Sequence, residues 1–255
     1  MEFQRILFDV SDHIATITIN RPERLNATDD LTRTELGQAW AQVRDDSDIR
    51  VAIITGAGDR AFSAGQDIRA TAQSGIRNKV PGSRLHHNVW KPVICALNGM
   101  VVGGGLHQVA DSDLIIAAEH AELIDTHLMV GNVFALEPTV LLRRMPLSMV
   151  MQLALMTKDG RISAQRGYEI GLINEVVPAD RLQERAREIA VAIAKLSPAT
   201  VQASIKGMWT SLDVGSRAAH DVAYRYVLQH QMTHPDYLEG MKAFAEKREP
   251  QWVVD

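Results

Sequence analysis

The sequence predicts an α/β fold in which a body of alternating strands and helices is followed by a mostly helical C-terminal region. Runs of β-branched residues with strand spacing alternate with amphipathic segments through the first two thirds of the chain. Glycine-bearing turns follow several of the predicted strands. From about Ala164 onward the pattern becomes mostly helical. We therefore divide the 255 residues into a core, residues 1–195, and a C-terminal helical region, residues 196–255.

The first unit of the body reads as strand, helix, strand and glycine loop. Residues 13–19 alternate apolar and polar side chains, as a strand does, and the turn residues 20–22 end the run. Good N-cap residues open a predicted helix over residues 29–44, which carries apolar side chains at helical spacing. Residues 51–55 form a short apolar run that predicts a buried strand, and the glycine-rich residues 56–58 end it.

The unit of strand, helix, strand and glycine loop then recurs. A strand is predicted over residues 93–97, and glycine turns lead from it to a helix over residues 106–110. Another strand is predicted over residues 113–117, and a brief one over residues 173–177. The sequence around residues 70–83 is rich in Ser, Gly, Asn and Pro, which predicts a mobile loop beside the first glycine turn.

Four amphipathic helices are predicted beyond the body, over residues 180–195, 199–212, 216–231 and 236–247. Each has an apolar face to bury, and a single subunit with a complete core does not need four such helices. We therefore expect the C-terminal region to pack partly on neighbouring subunits.

Composition excludes several classes of protein. Net charge is −4 with both signs interspersed, so no basic surface for nucleic acid is expected. No apolar stretch approaches the ~20 residues of a membrane span, and the amino terminus lacks a signal pattern, so we expect a cytoplasmic protein without a membrane partner. The single cysteine, Cys95, lies in an apolar run and is predicted to be a buried hydrophobic residue.

Two glycine-bearing segments, residues 61–68 and 98–106, each follow a predicted strand. Glycines let the backbone approach a ligand closely, and free amides at a helix start favour negative charge, so the second segment suits an oxyanion. Close packing without a ligand explains a triple glycine equally well.

These two segments, in this order and about forty residues apart, resemble the signature of the crotonase (enoyl-CoA hydratase/isomerase) superfamily. Residues 17–27, 161–173 and 240–248 resemble other parts of the same family. The resemblance implies a spiral of β-β-α turns as the core and assembly into trimers or dimers of trimers. It also implies an acyl-coenzyme A thioester as substrate, with no metal and no cofactor beyond that coenzyme A.

In the family two backbone amides hold the thioester oxygen, and the resemblance assigns them to Gln66 and Gly104. Negative charge develops on that oxygen when a proton leaves the α-carbon or a nucleophile adds at the β-carbon, and preorganised N–H donors stabilise it. The adjoining residues are predicted to contact the substrate, namely Ala64, Gly65, Asp67, Ile68 and Gly103.

Hydratases of the family use two glutamates, and this chain has His107 and His127 at those positions. Histidine, with an unperturbed pKa of ~6.5, can move protons at neutral pH. A neutral imidazole does not repel an enolate and an imidazolium attracts it, which favours enolate chemistry over that of a standard hydratase. The alternative is that both histidines only line the pocket wall.

Two carboxylates are further catalytic candidates. Asp125 lies two residues before His127 and could orient its imidazole. Glu137 could assist, or it could serve only as a favourable charge at a helix N-terminus. A metal site on the histidines lacks a third ligand. The pair His86-His87 is predicted to face solvent.

Three functions are compatible with these residues. The leading hypothesis is a lyase or isomerase that acts on an enoyl- or β-oxoacyl-CoA through a thioester enolate. The second is hydrolytic carbon–carbon cleavage of a β-diketone, since a branch of the superfamily resembles this chain in placing a histidine where His127 stands. The third is a non-catalytic binding or assembly subunit that kept the fold.

Overall fold

A computed structural model describes residues 3–74 and 82–253. Within these ranges a six-stranded sheet runs in the order β1-β2-β3-β5-β7-β10, antiparallel between β1 and β2 and parallel elsewhere. Its strands are β1 Ile6–Ser11, β2 Ile14–Ile19, β3 Val51–Gly56, β5 Val93–Leu97, β7 Leu114–Ala118 and β10 Glu175–Val177. Every residue of β3 and β5 is buried, as expected for parallel strands covered on both faces. Strand β1 was not predicted from the sequence.

A second sheet, with four strands in the described residues, has the order β4-β6-β8-β9. Its strands are β4 Ala61–Ser63, β6 Met100–Val102, β8 Glu122–Ile124 and β9 Ile162–Ser163. Successive strands alternate between the two sheets, β3 with β4, β5 with β6 and β7 with β8, which confirms the predicted spiral of β-β-α turns. Strands of two or three residues are too short to show alternation, so sequence patterning missed this sheet.

The helices of the body are α1 Asp30–Asp45, α2 Ile68–Ser74, α3 Leu106–Asp111, α4 Leu136–Leu141, α5 Leu147–Met156, α6 Ala164–Glu169 and α7 Leu182–Ala194. Helix α1 begins where the capping residues predicted, with the Asp29 carboxylate accepting the Thr32 amide at 2.7 Å. The prediction of a mobile loop over residues 70–83 is wrong for its first part, because α2 continues to Ser74. Residues 75–81 of that segment lie outside the described residues.

Two apolar cores hold the body together. One joins a face of the six-stranded sheet to α1 and the four-stranded sheet, and it includes Trp40, Cys95 and Phe62. The other packs α7 against the opposite face through Leu182, Ala186 and neighbouring alanines. The burial of Cys95 confirms the prediction, and this burial also raises the pKa of its thiol.

The C-terminal helices are α8 Pro198–Ser211, α9 Ser216–Thr233 and α10 Asp236–Glu246. Helices α8 and α9 pack against each other, and large apolar side chains on this region remain exposed, including Met208, Met232 and Phe244. The predicted division at residue 195 falls in the link between α7 and α8, and it stays a prediction. Within the described ranges, no helix combines the length and apolar character needed to cross a bilayer.

Asp113 ties the C-terminal region to the body. Its carboxylate accepts the Val93 amide and the Trp209 indole of α8, each at 2.8 Å, and pairs with the buried guanidinium of Arg84, which stacks on the Trp209 ring. An Asp113→Ala variant should lose about 3–5 kcal/mol of unfolding free energy, because a buried guanidinium is left without its partner.

Chemical denaturation of this variant beside Asp213→Ala provides the check. Asp213 pairs with Arg143 on the exposed surface, so the control should change stability by less than about 1 kcal/mol. Equal stability losses in the two variants would contradict the assigned role of Asp113.

Candidate active site

The two glycine segments of the sequence lie side by side in the structure. They follow or contain β4 and β6, which are adjacent parallel strands. Gly65 has a φ of +78°, and a Cβ at this position would stand 2.5 Å from the carbonyl oxygen of Val102 and 3.2 Å from the amide nitrogen of Gly104. A Cβ on Gly104 would stand 3.9 Å from the amide nitrogen of Gln66. The close approach of the two loops therefore requires glycine at position 65.

The backbone around Gln66 is held by its neighbours. The Thr28 amide donates to the Gly65 carbonyl at 2.7 Å, and the Asp67 amide donates to the Thr28 carbonyl at 2.9 Å. Within residues 3–74 and 82–253, neither the Gln66 amide nor the Gly104 amide donates to a turn, loop or cap carbonyl or to a side chain. Two neighbouring amides are thus fixed in place and available to a ligand.

His127 lies against this glycine turn. Gly103 has a φ of +48°, and a Cβ there would stand 3.5 Å from Cε1 of the His127 ring. The ring of Phe134 stacks on the other side of the imidazole, with centroids 5.4 Å apart and planes inclined by 26°. The His127 side chain is 14% exposed, so most of it is covered by these neighbours.

Asp125 holds His127 through both of its carboxylate oxygens. Oδ1 lies 2.6 Å from Nδ1 of the imidazole, and Oδ2 accepts the His127 backbone amide at 3.0 Å. Because a carboxylate can only accept, Nδ1 carries a proton and Nε2 is left to exchange protons. The hydrogen bond from the ring to Asp125 raises the pKa of His127, against the effect of burial, and the charge of nearby Glu137 adds to it.

Glu137 lies between the two histidines. It is the second residue of α4, it is 3% exposed, and its Oε1 stands 3.1 Å from Nε2 of His107 and 3.7 Å from Nε2 of His127. Burial opposes its ionisation, but the hydrogen bond from His107 and the charges of both imidazoles outweigh burial and lower the pKa of Glu137. We call His107, Asp125, His127 and Glu137 the imidazole cluster.

The profile of the family described as Enoyl-CoA hydratase/isomerase matches residues 9–254. This chain belongs to the enoyl-CoA hydratase/isomerase family. Among its curated relatives is the (E)-benzylidenesuccinyl-CoA hydratase of Thauera aromatica, 35% identical over 254 residues, which cover 96% of this chain and 97% of the relative. Another is the carnitinyl-CoA dehydratase of Salmonella typhimurium, 33% identical over 252 residues and covering 94% of each chain.

Solved structures of the family share the fold. A crystal structure of an enoyl-CoA hydratase/isomerase from Mycobacterium paratuberculosis superposes with a TM-score of 0.93 at 34% identity, over 100% of both chains. The enoyl-CoA hydratase from Bacillus anthracis superposes with a TM-score of 0.87 at 31% identity, over 99% of this chain and 100% of the other. The chain is thus an enzyme of the enoyl-CoA hydratase/isomerase family along its whole length.

The other residues that were predicted to contact substrate have different surroundings in the structure. The Ala64 amide donates a hydrogen bond to the Leu25 carbonyl at 2.8 Å. The Asp67 carboxylate pairs with Arg21 at 3.1 Å and accepts the amide of Ala70 at the start of α2. Ile68 opens α2 and is 55% exposed. Asp67 therefore has structural partners already, and Ile68 lies at the outer edge.

The prediction that His86-His87 face solvent is confirmed for His86 and wrong for His87. The His87 ring packs on α1, where a Cβ on Gly37 would stand 2.9 Å from it, and its Nε2 is buried. His86 is 44% exposed, but its ring meets the His107 ring edge-on with centroids 6.3 Å apart. No sequence spacing connects His86 to His107, so only the fold reveals this neighbour.

Within the described residues, no group of three or more His, Cys, Asp and Glu side chains is arranged to hold a metal ion.

Proposed function

We propose that this enzyme adds water to an enoyl-coenzyme A thioester, or removes water from the corresponding 3-hydroxyacyl thioester, through an enolate held by the Gln66 and Gly104 amides. The observation that supports this proposal most strongly is the position of His127. Its imidazole lies against the Gly103 turn, next to the two amides, so a proton donor and the proposed oxyanion site lie side by side. The relatives named above as a hydratase and a dehydratase support the reaction class.

The two amides supply the electrostatic part of catalysis. Addition of water at the β-carbon moves the π electrons onto the thioester oxygen, and protonation at the α-carbon returns them. Donors that are already aimed at this oxygen stabilise the enolate without reorganisation, and each is worth roughly 3–4 kcal/mol. Backbone amides supply this effect whatever side chains surround them.

The imidazole cluster supplies the proton transfers. Because Asp125 and Glu137 favour the imidazolium form of His127, we assign His127 the delivery of a proton to the α-carbon. Glu137, which His107 keeps ionised, accepts a proton from the attacking water. Glu137 of α4 thus supplies a carboxylate to the site, although both usual glutamates are absent.

The pH dependence follows from Glu137 and His127. Activity should fall as pH drops through the lowered pKa of Glu137, because the carboxylate is then protonated, and it should fall as pH rises through the raised pKa of His127. An Asp125→Asn variant removes the negative charge from the group that accepts the Nδ1 hydrogen bond, and so weakens the effect that raises the His127 pKa. In the pH profile of kcat/KM, the alkaline limb of this variant should move to lower pH. If it moves by about one pH unit, kcat/KM at pH values above the limb should be about tenfold lower than in wild type. An unmoved alkaline limb would show that His127 is not the titrating acid.

A panel of enoyl- and 3-hydroxyacyl-CoA thioesters in deuterated water tests the proposed function. We expect interconversion of one pair, with one deuterium entering the α-carbon and oxygen from labelled water entering the β-carbon. Failure of every thioester to react or to shift the melting temperature would contradict the proposal and favour a non-catalytic subunit.

The Asp125–His127 pair also supports a second candidate, the hydrolytic cleavage of a β-diketone. A carboxylate-oriented imidazole can serve as the base that activates water to attack a carbonyl, and the enolate leaving group would occupy the same two amides. Turnover of a free β-diketone without coenzyme A, combined with no thioester turnover, would favour this candidate over hydration.

We further propose a trimer or a dimer of trimers, supported by the exposed apolar side chains of α8–α10, among them Phe244 at 88% exposed. Light scattering should report a multiple of the 28.2 kDa chain mass, and a monomer would contradict the proposal. We also propose that no redox cofactor takes part, since the reaction is redox-neutral, and that no metal takes part, since the two amides supply the stabilisation of the oxyanion. Dialysis against a chelator should leave turnover unchanged.

A further inference from the structure

A third histidine adjoins the imidazole cluster from the solvent side. The His86 ring meets His107 edge-on, with centroids 6.3 Å apart and planes at 89°. The side chain of His86 is 44% exposed, whereas those of His107, His127 and Glu137 are 16%, 14% and 4% exposed. His86 is therefore the histidine of this group with ready access to water.

Its ring is held by polar partners in the same manner as that of His127. Nδ1 of His86 lies 2.9 Å from the Ser83 hydroxyl, which also hydrogen-bonds the Asp111 carboxylate. Oδ2 of Asp111 lies 3.9 Å from the same Nδ1, is buried, and has no hydrogen-bond partner among the described residues. Asp111 stands four residues after His107 on α3, so one helix places the carboxylate and the inner imidazole on the same side. The Ser83 hydroxyl fixes Nδ1 and leaves Nε2 of His86 to exchange protons.

We propose that His86 is a positioning and proton-relay residue that carries protons between solvent and the His107–Glu137 pair. The proposal rests on the proposed hydration. During addition, the lone pair of water forms the bond to the β-carbon and the proton of water passes to the Glu137 carboxylate, while His127 gives its proton to the α-carbon. The enzyme then holds one proton too many on the His107–Glu137 pair and one too few on His127.

His86 resolves the first half of this imbalance. It takes the excess proton from the His107–Glu137 pair and releases it to bulk water. His127 regains its proton from solvent when the product leaves, so the net reaction is the addition of one water. The side chain of Glu137 is 4% exposed and that of His127 is 14% exposed, so the proton on Glu137 depends more on an exposed carrier beside His107.

Kinetics of His86→Ala with free imidazole test the relay. We expect kcat to fall about tenfold while KM stays within about twofold, and imidazole added to the buffer should restore most of the lost rate. His120→Ala is the matched control, because His120 is an exposed histidine outside the imidazole cluster that hydrogen-bonds the Asp59 carbonyl at 2.8 Å, and it should show neither loss nor rescue. An unchanged kcat, or a loss that imidazole does not restore, would overturn the relay. Where the alanine variant does not fold, His86→Asn should show the same split between kcat and KM.

A second readout does not depend on turnover. The Nε2 proton of His107, hydrogen-bonded to Glu137, should appear as a downfield proton resonance that disappears in His107→Gln. Its exchange with solvent should be at least several-fold slower in His86→Ala than in wild type. Equal exchange rates would refute the relay even if hydration is confirmed, whereas slowed exchange without thioester turnover would support the relay and contradict the proposed function.

Discussion

Replacing His127 with Gln should lower kcat for thioester turnover about 10²- to 10⁴-fold, the range expected for loss of a positioned proton donor. Glutamine retains a polar side chain of similar reach, so the recess beside Gly103 stays filled. What is lost is the imidazolium, which the hydrogen bond to Asp125 and the charge of Glu137 favour. KM should change little, because the proton is transferred only in the transition state.

His120→Gln is the control for this experiment as well, since it makes the same substitution outside the imidazole cluster. Steady-state kinetics of both variants and thermal melts of the free proteins separate chemistry from folding. If His127→Gln turned over substrate at the wild-type rate, the imidazole would have no catalytic role. The alternative interpretation of the sequence, in which the histidines only line the pocket wall, would then be correct.

Replacing Gly65 with Ala should lower kcat/KM about 10²- to 10³-fold, the loss expected when an oxyanion donor is displaced. The added methyl group would meet the Val102 carbonyl at 2.5 Å and the Gly104 amide at 3.2 Å, so the two loops must move apart. The amides of Gln66 and Gly104 could then no longer hold one oxygen atom together.

Gly171→Ala separates that effect from backbone strain. Gly171 has a φ of +81°, close to the +78° of Gly65, and a Cβ there meets nothing within 4 Å. Both substitutions should therefore cost similar stability from the positive φ, about 1 kcal/mol, but only Gly65→Ala should lose activity. Equal activity in the two variants would contradict an oxyanion site at these amides.

The parts of this site that could be predicted from the sequence are those set by local order along the chain. The glycine segments contain strands β4 and β6 and the turns that follow them. The family resemblance of these continuous segments was therefore enough to locate Gln66 and Gly104. Asp125 and His127 are two residues apart, and their contact at 2.6 Å was open to prediction for the same reason. Helix α1 and the four helices from α7 onward follow from apolar spacing alone.

The parts that could not be predicted depend on contacts between separate elements. Glu137 comes from α4 and His107 from α3, and only the packing of these helices places the carboxylate 3.1 Å from the imidazole. At sequence level a charge at a helix N-terminus explained Glu137 equally well. His86 joins the cluster from a short 3-10 turn, Leu85–His87, that no periodicity reveals. These are the residues to which we assign the roles of the two missing glutamates.

A crystal structure with a bound, unreactive acyl-coenzyme A thioester tests the central claim most directly. We predict the thioester oxygen within ~3 Å of both the Gln66 and the Gly104 amide nitrogens, with Nε2 of His127 facing the α-carbon. A thioester oxygen bound by other groups, with these two amides turned to solvent, would contradict the oxyanion site.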